Sequence, residues 1–243
     1  MTILCHFFNE EYLLPFWLNH HKRFFSHGIM VNYNSNDKSV EIIKEICPTW
    51  EIVESRNHYF TASDIDSEIM NIEKSIDGFR ICLNVTEFLL GDFSILNKIK
   101  TPSQILIPSL TMVDDEQHAF TEINGELFKN RTFGFGYDGV LFSERYCRSL
   151  HNYNVNYPLG RHFTNINTND FIILFYRYSP FNEGLIKRKL QIQTRMRDTE
   201  KSSGIGGQHL LDREKLIGQL VSYQRISEDL SGKINKFLRY CNI

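Results

Sequence analysis

TILCHFFNEEYLLPFWLNHHKRFFSHGIMVNYNSND, residues 2–37, decides the reading of the fold. Its first residues, TILCHFF, form a short apolar strand, and Asn9-Glu10-Glu11 then opens a helix. Leu13, Phe16, Trp17, His20 and Phe24 recur at helical spacing. Pro15 fits only near a first turn, because it has no amide hydrogen to give to the helix ladder. Gly28 stops the helix, Ile29-Met30-Val31 is a second strand, and Asn32 to Asp37 is a polar loop.

Outward from there the alternation continues. Val40, Ile43 and Ile46 mark a helical face closed by Pro48, and Trp50 to Val53 is a third strand. A helix through Ser67–Lys74 precedes Phe79 to Val85 (FRICLNV), a strand apolar enough for burial on both faces. The order β-α-β-α-β-α-β over about 85 residues predicts an α/β fold: one mostly parallel central sheet, helices on both faces, right-handed crossovers. Ligands of such sheets bind beyond the carboxyl ends of the strands. Asn9–Glu11, Asn32–Asp37 and Asn84–Glu87 are expected to meet at that edge. Further on, Gln104 to Pro108 resembles a strand and Thr132 to Gly139 a loop with strand character. Asp170 to Tyr178 (DFIILFYRY) is another buried strand, 182–197 a basic helix, and a last amphipathic helix runs from Asp212 through Tyr223.

The 243 residues suffice for one α/β domain with a large core. With 27 basic and 29 acidic residues the chain has no charge excess that demands a nucleic-acid partner. Nineteen Phe and eleven Tyr are many; aromatics line both cores and sugar-binding surfaces, and core packing is the first reading. Cys5, Cys47, Cys82, Cys147 and Cys241 are odd in number, widely spaced and without a CxxC pair, which points to free thiols in a reducing compartment. No run approaches the ~20 apolar residues of a membrane span, and the start has no basic region of a signal peptide. The expected location is cytoplasmic, with peripheral membrane association left open. Asn84 and Asn130 formally match the Asn-x-Thr acceptor, but Asn84 lies in an apolar run.

Amides and carboxylates at three strand ends, with a basic segment and a late histidine, suit a diphosphate ligand. Phosphate takes cationic or N–H donors, and a divalent ion takes oxygen and histidine ligands. The cations of the basic segment are Lys187, Arg188, Lys189, Arg195 and Arg197, for which a solvated helix face is the plain alternative. The loop holding Gly204, Gly206 and Gly207 lacks the GxGxxG spacing and reads as a flexible lid with His209 at its hinge.

The segments ILCHFFNEEYLLPFWLNHH, VNYNSNDKSVEII and GFRICLNVTEFL together resemble the GT-A fold inverting glycosyltransferases, nearest the family 2 and family 92-like branch. That branch reads RNE, then DNxSxD, then DxDEF; here the motifs are NEE, NYNSND and NVTEF. The similarity covers roughly residues 3–90, and YRYSPFNEGLIKRKLQIQTR with GIGGQH looks like the branch's C-terminal part. The resemblance implies a single domain over 1–243, with 1–90 binding the nucleotide and 91–243 facing the acceptor. It implies a nucleotide-diphosphate sugar donor, a glycan, lipid-linked or other hydroxyl acceptor, and direct displacement at the anomeric carbon. Asn9 and Glu10 would lie near the nucleotide, as would Asn32, Ser35 and Asp37, and Asn84, Thr86 and Glu87 would match DxDE.

Asn84 and Thr86 stand where the family carries aspartates, so a conventional metal clamp is weakened. Three readings stay open. Glu87 with His209 could hold Mn²⁺ or Mg²⁺, Arg188, Lys189 and Arg195 could neutralise the diphosphate without metal, or the protein binds and catalyses nothing. For the base that deprotonates the acceptor, Asp115 comes first, then Asp114, with Glu116 adjacent and Asp138 as a rival in the glycine-aromatic loop. A sugar-phosphate nucleotidyltransferase is a further alternative, though residues 3–14 lack its glycine- and arginine-rich loop.

Overall fold

The computed structural model describes residues 1–123, 125–136, 147–196, 198, 201 and 210–240. β1 (Thr2–Phe7), β2 (His27–Asn32), β3 (Glu51–Glu54) and β4 (Arg80–Cys82) lie parallel in the order β3-β2-β1-β4. The sheet does not end there. β9 (Arg148–His151) adds antiparallel to β4, and β6 (Gln104–Ile107) antiparallel to β9. A second sheet of five strands has the order β11-β8-β7-β10-β5. Its members are β5 (Glu87–Gly91), β7 (Ser109–Val113), β8 (Phe133–Phe135), β10 (Phe171–Tyr178) and β11 (Glu228–Asp229).

Two sheets replace the single, mostly parallel central sheet with helices on both faces that the sequence led us to expect. The GT-A-type architecture is therefore corrected. The physical reason lies in residues 79–91, whose apolar run hides a break. Leu83 still donates to the Leu4 carbonyl and continues the first sheet. The next residues turn, with the Glu87 amide on the Asn84 carbonyl and the Asn84 amide on a Glu87 carboxylate oxygen at 2.7 Å. Beyond that reciprocal pair β5 runs antiparallel to β10, Leu90 opposite Ile172, in the second sheet. Both halves of the run are buried, so apolar density gives no sign of the corner.

The helices are α1 (Leu14–His21), α2 (Ser39–Ile46), α3 (Ala62–Glu73), α4 (Leu127–Asn130), α5 (Glu183–Gln191), α6 (Arg213–Gln224) and α7 (Ser231–Leu238). One apolar core joins the two sheets: Ile3 and Cys5 of the first sheet with Phe88, Leu110 and Leu174 of the second and with Trp17 of α1. Gly28 lies inside β2 and does not stop the helix. A Cβ there would stand 2.2 Å from the Trp50 ring, so the strand can only pass beneath that indole as glycine. Cys5, Cys47 and Cys82 are free thiols, and they and Cys147 are buried. Among the described residues no helix is long and apolar enough to cross a membrane.

α1 buries two histidines under this core. His20 Nε2 bonds the Leu89 carbonyl at 2.7 Å, and His21 Nδ1 bonds the Trp17 carbonyl while its Nε2 accepts the Leu89 amide at 3.2 Å. Rings of Phe24, Phe88 and Phe128 close around His20. Burial pushes the His20 imidazole down to about 4 and His21 well below the ordinary value. Both are neutral in the fold, so their contribution is intact above the unfolded value near 6.5 and is lost as pH falls from there through the folded value. Urea midpoints measured from pH 7 to pH 4 should fall, by about 3 kcal/mol of stability for His20 alone. A flat profile over that range would contradict the buried neutral pair.

Candidate functional site

The three polar strand ends meet as expected, but most of their side chains build loops. Asn9 follows β1 in the left-handed region at φ 51°, which asparagine tolerates better than most residues. Its amide group exchanges two 2.8 Å bonds with Asn36, and its backbone N–H donates to Ser35 Oγ. The Glu10 amide donates to Ser39 Oγ and the Glu11 amide to Asp37. Asp37 also accepts the Ser39 amide. Asn32 points its NH₂ at both Glu54 oxygens and accepts the Ser35 amide. Asn9, Asn32 and Asp37 thus lock one loop to the next, and Glu10 is the member that faces the cavity.

The cavity holds about 480 Å³ beyond the carboxyl ends of β1, β2 and β4. Asn84 and Thr86 line it on one side. Among the described residues six cations line it: Arg148, Arg161, Arg177, Arg188, Lys189 and Arg195. Two carboxylates of the described residues do, Glu10 and Asp66. Three cations are held in ion pairs. Arg148 grips Glu87 through Nε at 2.9 Å and Nη2 at 2.7 Å, Arg161 bonds Asp66 at 2.6 Å, and Arg188 bonds Glu10. Arg177, Lys189 and Arg195 have no carboxylate partner among the described residues. Lys189 lies over the Tyr178 ring at 4.3 Å, and the Arg177 guanidinium lies 5.7 Å from the same ring. Phe8, Tyr33, Phe60 and Phe175 supply aromatic wall.

The titrating groups report the resulting field. Burial, with Arg177 and Arg188 adding repulsion, holds the Lys189 ammonium well below the ordinary lysine value. His6 is pushed down by burial and then by Arg161 and Arg148. His162 falls to about 3 through burial, with Arg148, Arg161 and Arg177 adding to it. Burial raises the Glu10 carboxyl against the pull of Arg188. Burial is the larger cause in all three and the neighbouring arginines add to it; an anionic ligand would offset that second, electrostatic part.

A strap of unusual backbone completes one wall. Gly160 (φ 71°) and Arg161 (φ 58°) are both left-handed, a conformation that costs a non-glycine residue. Bonds hold it there. Gly160 donates to Asp66 at 2.6 Å, and Arg148 Nη1 donates to the Gly160 and Arg161 carbonyls. Arg161 Nη2 reaches Asn84 Oδ1 at 3.1 Å.

The remaining sequence candidates lie elsewhere. Asp114 is fully buried, and its oxygens take Arg131, Ser179 Oγ and the Phe181 amide. Asp115 receives the Gln117 and His118 amides and the His118 ring on one oxygen, 2.6 Å from Nδ1. Neither lines the cavity. Asp138, Arg197, the loop with Gly204, Gly206 and Gly207, and His209 fall outside the described residues. Glu87 does not fit a metal: one oxygen is gripped by Arg148 and the other accepts the Asn84 amide. No group of three His, Cys, Asp or Glu among the described residues could hold an ion. Sequence reading missed His6, Asp66, Arg148, Arg161 and Arg177. Only Arg177 carried a signal, a lone cation inside the apolar strand FIILFYRY.

No protein-family model matches the chain, and no curated protein matches it. The two separate sheets overturn the resemblance to the family 2 and family 92-like GT-A transferases. Among solved structures, S. aureus TarS in complex with UDP-GlcNAc aligns at a TM-score of 0.43 and 9% identity, over 80% of this chain and 65% of that one. A second S. aureus TarS structure gives 0.41 and 8%, over 79% of this chain and 39% of that one. HddC from Yersinia pseudotuberculosis gives 0.34 and 11%, over 77% and 97%. The chain spans less than two thirds of the TarS chains, and at such TM-scores the likeness carries no argument about fold or activity.

Proposed function

We propose that this protein binds a nucleoside diphosphate carrying a sugar and transfers that sugar to a hydroxyl acceptor. The observation that carries the reading is the trio Arg177, Lys189 and Arg195: three cations without carboxylate partners among the described residues, in a cavity of about 480 Å³ with an aromatic wall. A volume of that order suits a small-molecule ligand, roughly 300–1,000 Å³ being usual. Phosphate recognition calls for guanidinium and ammonium donors, and a ring calls for aromatic surface. In this reading the side-chain cations take the place of a divalent ion, because Glu87 is already engaged by Arg148.

Transfer also needs a carboxylate to take the acceptor's proton. We place it at Glu10 in preference to the Asp114 and Asp115 assignment. Glu10 lines the cavity, and its Oε1 has no hydrogen-bond partner among the described residues. Burial lifts its affinity for a proton, as a base working near neutral pH requires. Asp66, the other cavity carboxylate, is engaged at both oxygens. Glu10→Gln should lower turnover about 10²- to 10⁴-fold. Nucleoside diphosphate affinity should hold or rise, since Arg188 is released toward the ligand. Parallel loss of binding and turnover would contradict the assignment. A second reading, a nucleotide-binding protein without catalysis, draws on the engagement of Asp66 and Glu87 in internal ion pairs; it predicts tight binding and no transfer in either form.

A further inference from the structure

Given a nucleoside diphosphate in the cavity, as proposed above, its base needs a flat apolar slot. The structure has one, occupied by a side chain of the protein itself. The Arg195 guanidinium carbon lies 4.6 Å from the centre of the Phe8 ring and 4.9 Å from that of Tyr33, and all three residues line the cavity. The group is lightly held. Nη2 donates one bond to the Tyr33 carbonyl at 2.8 Å, while Nε is buried with no hydrogen-bond partner among the described residues. Arg148, by contrast, makes four bonds to Glu87, Gly160 and Arg161. The Arg195 backbone is fixed, since its carbonyl accepts the Phe60 amide at 2.8 Å. The side chain can therefore move while its root stays in place.

We propose that Arg195 keeps the place of the nucleobase in the empty cavity. The base takes the position of the planar guanidinium against Phe8 and Tyr33, and the displaced guanidinium turns onto the diphosphate. A guanidinium and a base are both flat and both stack on aromatic faces. The unsatisfied Nε gains a phosphate acceptor in the exchange, so the ligand's two ends become coupled through one side chain. A nucleoside without phosphates must displace Arg195 and offers it nothing in return.

The coupling gives opposite signs for two ligands in one variant. Calorimetric titrations would compare wild type, Arg195→Ala and Arg195→Gln with uridine, guanosine, their diphosphates and inorganic pyrophosphate. Arg195→Gln keeps a donor for the Tyr33 carbonyl and guards against a packing defect. In both variants nucleoside affinity should rise about tenfold, the size of a partly desolvated cation–π contact. Diphosphate affinity should fall about tenfold as a charged donor to phosphate is lost. If pyrophosphate binds wild type but nucleoside affinity is unchanged or lower in both variants, the role of Arg195 is overturned while the diphosphate site stands. If neither pyrophosphate nor any nucleotide binds wild type, the diphosphate reading falls and the base slot with it.

Discussion

Alanine at both Arg177 and Lys189 should weaken nucleoside diphosphate binding by a factor of a hundred or more, and should leave the melting temperature equal or higher. The loss follows from removing two charged donors to phosphate, each worth about 1.5–3 kcal/mol when desolvated. The gain in stability follows from the same geometry. Burial first, and then Arg177 and Arg188, depress the Lys189 ammonium, so a positive charge there is disfavoured in the empty protein. Among the described residues neither Arg177 nor Lys189 has a carboxylate partner to orphan. A group kept for its ligand and not for the fold shows this pairing of lost affinity with retained stability. Calorimetric titration and a thermal melt of the same sample check both halves. A variant that melts many degrees lower with unchanged affinity would make the pair structural.

Asp114→Ala should do the reverse. It removes the carboxylate that faces Arg131, Ser179 and the Phe181 amide, all inside the protein. Arg131 keeps bonds to the His118 and Glu122 carbonyls and to Thr121, but its charge becomes uncompensated. Breaking a buried pair from one side costs about 3–5 kcal/mol, a large part of a typical domain's stability. The urea midpoint should fall accordingly, while the folded fraction binds nucleoside diphosphate within about threefold of wild type. The opposite pattern, full stability with lost turnover, would return Asp114 to the catalytic role its sequence position suggested.

The contrast between these aspartate and lysine positions marks how far the sequence could be read. The parallel half of the first sheet was legible because strands and helices alternate with clear periods from Thr2 to Cys82. The corner at Asn84–Glu87 was not, because residues on either side are buried and apolar whichever sheet they join. The three polar strand ends were found, but the roles of their side chains were not. Asn32 and Asp37 look like ligand contacts in one dimension and prove to be loop anchors once Glu54 and Glu11 come to meet them. Lys189 and Arg195 were visible as part of a basic run, whereas Arg148 and Arg161 sit in RSLH and PLGR with nothing local to mark them. Their purpose depends on Glu87 and Asp66, 61 and 95 positions away. Ion pairs formed across such separations have no sequence period.

The most direct measurement is a calorimetric titration of the wild-type protein with UDP, GDP and their sugar conjugates, once with Mn²⁺ and once with EDTA. We expect saturable binding of at least one nucleoside diphosphate, with the same affinity under both conditions, because the cavity's own cations meet the charge. Absence of binding to every nucleotide would contradict the site itself, and binding only with Mn²⁺ would contradict the assignment of the diphosphate to Arg177, Lys189 and Arg195.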